Sequence, residues 1–272
     1  MSAIPNRSTS NRTSMSARDM ALVGVAAMLA PLPATIIAAL ADTRTLNGAN
    51  LWLKPMHFEL SIAIHLATLA LLWPLLSQAW QASRTVRWSM QLAVFSNIVE
   101  VIYIAAKAAQ GEASHFNQTS VLAFALYGLM GLGAVLIVLG SGLFGYALWR
   151  SPVPQGASQL HAGASLGLLL GSAMTLVLAG YMSQQHGHLV GGPQTDAFGL
   201  PFLGWATRGG DLRVPHFFAT HGMQALPLAG LAADHVVGGR MRGLMPVMAV
   251  LYFAVVSALF AQALMGLPLV RL

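Results

Sequence analysis

The chain has 272 residues; 56% are hydrophobic, 8% are charged, and there is no cysteine. An ordinary soluble domain carries about 25% charged residues, so this composition suits lipid, and it excludes a disordered chain, a disulfide scaffold and a thiolate metal centre. The net charge of +6 reflects only 8 acids against 14 scattered Lys and Arg, which is not the clustered basic face of a nucleic-acid-binding module.

A membrane-crossing helix needs about 20 mostly apolar residues. Seven stretches qualify: 20–41, 56–77, 88–107, 120–149, 159–181, 214–233 and 244–269. The expected fold class is therefore all-α, a polytopic bundle of seven transmembrane helices. Residues 1–19 form a cytoplasmic tail and 20–272 a single domain. The first stretch ends on Ala39-Leu40-Ala41, which has the small-x-small form of a signal cleavage site. Its apolar run is longer than a signal peptide uses, so it reads as a retained helix.

Orientation follows from the basic residues in the loops. With the N-terminus cytoplasmic, Arg7, Arg12, Arg18, Arg84, Arg87, Arg150, Arg240 and Arg242 lie inside. Arg44, Lys54, Lys107, Arg208, Arg213 and Arg271 lie outside. The expectation is N-in, C-out. The connection 183–213 between the fifth and sixth spans is then a long outer loop, and loops of such length usually carry function. Its Phe198, Leu200, Phe202, Leu203 and Trp205 need cover, so it should fold back over the outer mouth of the bundle. Gly163, Gly167 and Gly171 form a small-residue ridge on the fifth span. Such ridges pack helices closely, within the chain or between copies in an oligomer.

Ionisable groups are costly at the centre of a membrane helix. Of the acids, only Glu59 and Glu100 fall inside spans, and seven of the nine histidines sit at the outer side. His57, Ser61 and His65 descend one face of the second span, with Glu59 on roughly the opposite face. Glu100, Tyr103 and Lys107 share a face of the third span, with Asn97 one turn deeper. On the sixth span His216, His221 and Gln224 define a broad polar arc. His115 and Asn117 lie just before the fourth span.

The stretches Lys54-Pro55-Met56-His57-Phe58-Glu59-Leu60-Ser61, Gly111-Glu112-Ala113-Ser114-His115-Phe116-Asn117, Gly209-Gly210-Asp211-Leu212-Arg213-Val214-Pro215-His216-Phe217 and His221-Gly222-Met223-Gln224-Ala225-Leu226-Pro227 resemble a widespread, uncharacterised family of bacterial multi-span inner-membrane proteins. The resemblance covers most of the chain after Trp52. It implies an inner-membrane location and a shared polar site, without an activity. The position of His57 is often Lys in that family, which favours His115, His216 and His221 as ligands.

The leading expectation is a redox protein. Haem b would be ligated by imidazoles among His65, His216 and His221, since helix bundles hold haem through histidine. A copper, iron or zinc ion would instead use His115, His216, His221 and Glu100. His57, Glu59, Asn97, Tyr103, Lys107, Asn117 and Gln224 complete the polar cluster, and an electron-transfer or respiratory partner would follow. One alternative is a proton-coupled transporter that relays protons through Glu100, Glu59, His65, Asn97 and Gln224. Another is an accessory or assembly protein of a membrane complex. No nucleophile–base pair stands out.

Overall fold

The computed structural model describes residues 15–185, 187–236, 241 and 243–272. Arg7, Arg12, Arg240, Arg242 and His186 lie outside the described residues, as does most of the expected N-terminal tail.

The described residues form helices α1 (Ala17–Leu29), α2 (Leu32–Ala41), α3 (Leu53–Leu72), α4 (Gln78–Gln81), α5 (Arg84–Gln110), α6 (Val121–Trp149), α7 (Ser158–Ser183), α8 (Arg213–Val236) and α9 (Leu244–Leu264). Two short antiparallel pairs, β1 (Thr45–Leu46) with β2 (Ala49–Asn50) and β3 (Leu189–Val190) with β4 (Gly210–Asp211), fasten the connections. The fold is all-α, and six segments are long and apolar enough to cross a membrane: Ala17–Ala41, Leu53–Leu75, Arg84–Gln110, Val121–Trp149, Ser158–Ser183 and Leu244–Leu264.

The expected sixth span is α8. It is as long as its neighbours, but Arg213, His216, His221, Gln224, Asp234 and His235 leave it less apolar than the six. The expected first span is broken into α1 and α2. Pro31 and Pro33 lack the N–H groups that Ala27 and Leu29 carbonyls would accept, so the helix is interrupted there. The last helix stops five residues short of the expected end, and the chain turns at Gly266 with φ 71°.

Local signals account for several helix ends. Ser83 and Ser120 turn their hydroxyls onto Val86 and Ala123 amides and so start α5 and α6. Gly111, at φ 73°, ends α5 in the left-handed conformation. The α7 cap comes from far along the chain: the Asp234 carboxylate accepts from the Gln159 and Leu160 amides at 2.9 and 2.8 Å. This pins the end of α8 to the start of α7.

Five helices make a closed circuit in which α3 touches α5, α5 touches α6, α6 touches α7, α7 touches α8, and α8 returns to α3. The α7–α8 contact is the most extensive and the α8–α3 contact the sparsest. α1 packs against α3 and α5, α9 against α7 and α8, and α2 against α3. The main core joins Leu69, Trp73, Phe144, Leu148, Leu168 and Met223. Outward faces are apolar, with Phe95, Ile102, Phe124, Leu129, Val247 and Val250 exposed, the surface a bilayer covers.

The glycine ridge is consumed inside the chain. A Cβ on Gly167 would sit 2.7 Å from the Gly222 carbonyl oxygen, one on Gly171 would sit 2.9 Å from Met223, and one on Gly163 would collide with the Leu226 carbonyl. The ridge is a seat for α8, so it is not a face left free for a second copy. Close approach is satisfied by the next helix in sequence, which is always at hand.

Candidate functional site

The polar side chains gather in two groups. The first lies where α3, α5 and the α5–α6 connection meet. Glu100 is buried, 9% exposed, and its Oε1 is 3.8 Å from His115 Nε2. That is too long for a hydrogen bond. The His115 ring is held instead by Phe58 and Tyr127, with centroids at 5.7 and 6.1 Å, while its Nδ1 lies 3.1 Å from Ser114 Oγ. The cation that acts on Glu100 is Lys54, in the first turn of α3. Lys54 also senses Asp196 and Arg213.

Lys107 does not join Glu100 as helix-face spacing suggested. Its ammonium turns to Glu112 at 2.6 Å beyond the helix end. Sharing a face sets direction at the helix surface, but a four-carbon stem lets the charge reach solvent. Tyr103 and Asn97 point inward, and the Tyr103 hydroxyl and Asn97 Nδ2 are buried without hydrogen-bond partners. Asn117 is a local fastener, since its Oδ1 accepts from the Thr119 amide and hydroxyl while its Nδ2 donates to the Ala113 carbonyl.

The connection between α7 and α8 closes over this end. Phe202 packs edge-on against His57 at 5.0 Å, and Trp205 against Phe217 at 5.2 Å. Asp196 takes Arg213 at 2.8 Å, His188 at 2.9 Å and Asn47 at 3.1 Å. Arg213 also grips Asp211 with two nitrogens and the Gly204 carbonyl at 2.6 Å. Arg213 thus ties the start of α8 to the connection, and Asn47 ties the β1–β2 turn to it.

The second group lies deeper, between α3, α6 and α8. His65 Nε2 is 2.9 Å from Ser141 Oγ on α6. His221 lies in electrostatic reach of both His65 and His216. Gln224 Oε1 accepts from His221 Nδ1 at 3.2 Å, and Gln224 Nε2 donates to Thr68 Oγ1 at 3.3 Å. A histidine whose Nδ1–H is engaged presents the lone pair of Nε2. The Phe217 ring, 4.1 Å away, fixes the plane of His221. His65, His216, His221 and Gln224 are half-buried.

The set His115, His216, His221 and Glu100 was expected in one cavity. Glu100 Oε1 and His115 Nε2 lie 3.8 Å apart, while His221 lies in electrostatic reach of both His65 and His216, and among the described residues no ion pair, side-chain hydrogen bond or ring contact joins the two pairs. Depth along a helix follows from sequence, whereas direction around the bundle does not, and α5 and α8 are not neighbours in the circuit. Among the described residues no three His, Asp or Glu side chains are grouped to hold a metal ion. Glu59 belongs to neither group; it meets Thr35 of α2.

Sequence reading passed over Lys54, Ser141, Thr68, Asp196 and Asp211. The Lys-Pro step at the start of α3 was the available signal for Lys54, because a lysine there lies on the helix rather than in a loop. No protein-family model, curated protein or solved structure matches the chain.

The first group has an acid sensitivity. Burial, with Lys54 alongside, lowers the His115 imidazole from 6.5 to about 3. The folded protein holds it neutral, while the unfolded chain protonates it near 6.5. Its contribution to stability is therefore complete above that value and is lost as pH falls toward about 3. Asp196 acts lower. Burial works against its ionisation, but His188 and Arg213 prevail and hold it at about 2 against an ordinary 3.8. His115→Gln should flatten the fall in thermal midpoint between about pH 6 and about pH 4; an unchanged slope would show that the imidazole is not held neutral.

Proposed function

We propose that this chain is a seven-span redox protein of a bacterial inner membrane, N-terminus inside and C-terminus outside, with α8 as the sixth span. Its mid-bundle histidines take haem b, with His221 as one axial ligand and His65 or His216 as the other. The observation that carries this reading is the orientation of His221. Gln224 engages its Nδ1–H, which is the outer support expected of a ligating imidazole. The half-burial of these three rings and the proximity of His221 to His65 and His216 supply further support. An electron-transfer or respiratory partner would dock at the membrane surface. A copper, iron or zinc ion at the same histidines is the alternative occupant.

The test is the absorption spectrum and metal content of protein purified in mild detergent. A Soret band is expected. It should disappear in His221→Ala and persist in His235→Ala, whose side chain lies at the far end of α8. Gln224→Leu should weaken haem binding about 10–100-fold, the usual effect of removing such a support. Folded protein with no Soret band but stoichiometric copper, iron or zinc would move the reading to the alternative. A triple variant at His65, His216 and His221 that kept its haem would remove both.

A further inference from the structure

Glu59 lies at the edge of the bundle, on the face of α3 that α2 covers. It is 1% exposed, and its Oε1 is 2.7 Å from Thr35 Oγ1. Its other oxygen, Oε2, is buried with no hydrogen-bond partner among the described residues. Thr35 is the only buried side chain of α2; Ile36, Ile37 and Leu40 beside it are exposed on the apolar outer surface. One thin helix, joined to α1 through Pro31, therefore separates this carboxyl group from lipid.

The charged groups of the surrounding elements are turned elsewhere. Lys54, His57 and His65 on α3, Arg84, Arg87, Glu100, Tyr103 and Lys107 on α5, Arg18 and Asp19 on α1, and Asp42 and Arg44 after α2 are the charged or titratable side chains of these elements. None acts on Glu59; Thr35 is the one side chain that does. A carboxylate there would keep one oxygen without any donor in an apolar surround, which is strongly unfavourable. A neutral acid avoids that.

Hydroxyl bookkeeping agrees. Thr35 Oγ1 has one proton and two lone pairs. It lies 3.3 Å from the Pro31 carbonyl oxygen as well as 2.7 Å from Glu59. With Glu59 protonated, each proton has one acceptor: Glu59 Oε1–H donates to Thr35 Oγ1, and Thr35 O–H donates to the Pro31 carbonyl. With Glu59 ionised, the Thr35 hydroxyl must donate to the carboxylate, and the Pro31 carbonyl keeps only the Thr35 amide at 3.0 Å. The carbonyl in question sits at the break between α1 and α2.

We propose that Glu59 is a proton-binding site, occupied in this fold and capped by Thr35. The site is independent of the histidines and of any haem.

The full-length protein in native membranes or mild detergent tests this. An infrared difference spectrum between the wild type and Glu59→Gln at neutral pH should show the carbonyl stretch of a protonated carboxylic acid. In Thr35→Val that stretch should remain and move to higher wavenumber, because the acid loses its acceptor; a merely structural threonine would not move it. A lipophilic carbodiimide, which needs a protonated carboxyl, should modify Glu59 in the wild type, and a water-soluble one should not. Carboxylate bands in place of the acid carbonyl stretch, or a Glu59 peptide untouched by the lipophilic reagent, would overturn the proposal. Both readouts leave the Soret band aside, so their failure is distinct from failure of the haem reading.

Discussion

Gly163→Leu is expected to abolish accumulation of folded protein, while Gly128→Leu leaves it unchanged. The first position faces the Leu226 carbonyl of α8 so closely that a Cβ has no room. Ordinary overpacking of a core costs about 1–3 kcal/mol because side chains can rotate away. A backbone carbonyl cannot, and Gly167 and Gly171 hold α8 along the same ridge. To admit the leucine the whole α7–α8 contact must open, which also lifts the Asp234 cap off α7. Gly128 meets nothing within 4 Å on the outward face of α6. There a leucine joins the apolar surface and replaces a residue that is about 1 kcal/mol worse than Ala in a helix. Fluorescence-detected gel filtration of the two variants in detergent is the measurement. Equal, monodisperse peaks would show that the ridge is not what seats α8.

Asp211→Ala should be the next most damaging substitution, at about 3 kcal/mol. Asp211 is 2% exposed and accepts four bonds, from the Ala206 amide, the Arg213 amide and two Arg213 side-chain nitrogens. Removing one partner of a buried ion pair costs about 3–5 kcal/mol because the other charge is left without compensation. Asp196 and the Gly204 carbonyl still hold Arg213, which sets the loss at the lower end of that range. The connection 184–212 should loosen as well, since β4 contains Asp211 and Arg213 reaches back into the segment. A lower thermal midpoint and faster proteolysis within that connection are expected together. Glu112→Gln, which breaks the solvent-exposed pair with Lys107, should change the midpoint little, because exposed pairs contribute about 0–1 kcal/mol. Equal effects of the two substitutions would contradict the role given to burial.

Much of the architecture was legible in the residues because a bilayer admits few backbone solutions. Long apolar runs must become helices, and six of those predicted are helices long and apolar enough to cross. Serine caps and the Gly111 end of α5 are local chemistry, readable within a few residues, whereas the Pro31 break was missed because hydropathy over 20–41 is continuous. The small glycines announced a close helix contact, and one exists. The sequence by itself thus determined the helical class and the apolar segments.

Only the tertiary structure decided which polar groups meet. Azimuth around the bundle depends on which helices are neighbours, and that is set by packing between segments far apart in the chain. So Glu100 faces Lys54 and His115 rather than His221, and Lys107 leaves the helix face it nominally shares. Ser141 on α6 supports His65 of α3, Asp234 caps α7 at an amide 75 residues earlier, and Thr35 covers Glu59. Each of these pairs joins residues with no regular spacing. Periodicity along one helix records which way its own side chains point, and carries no record of what another helix brings to meet them.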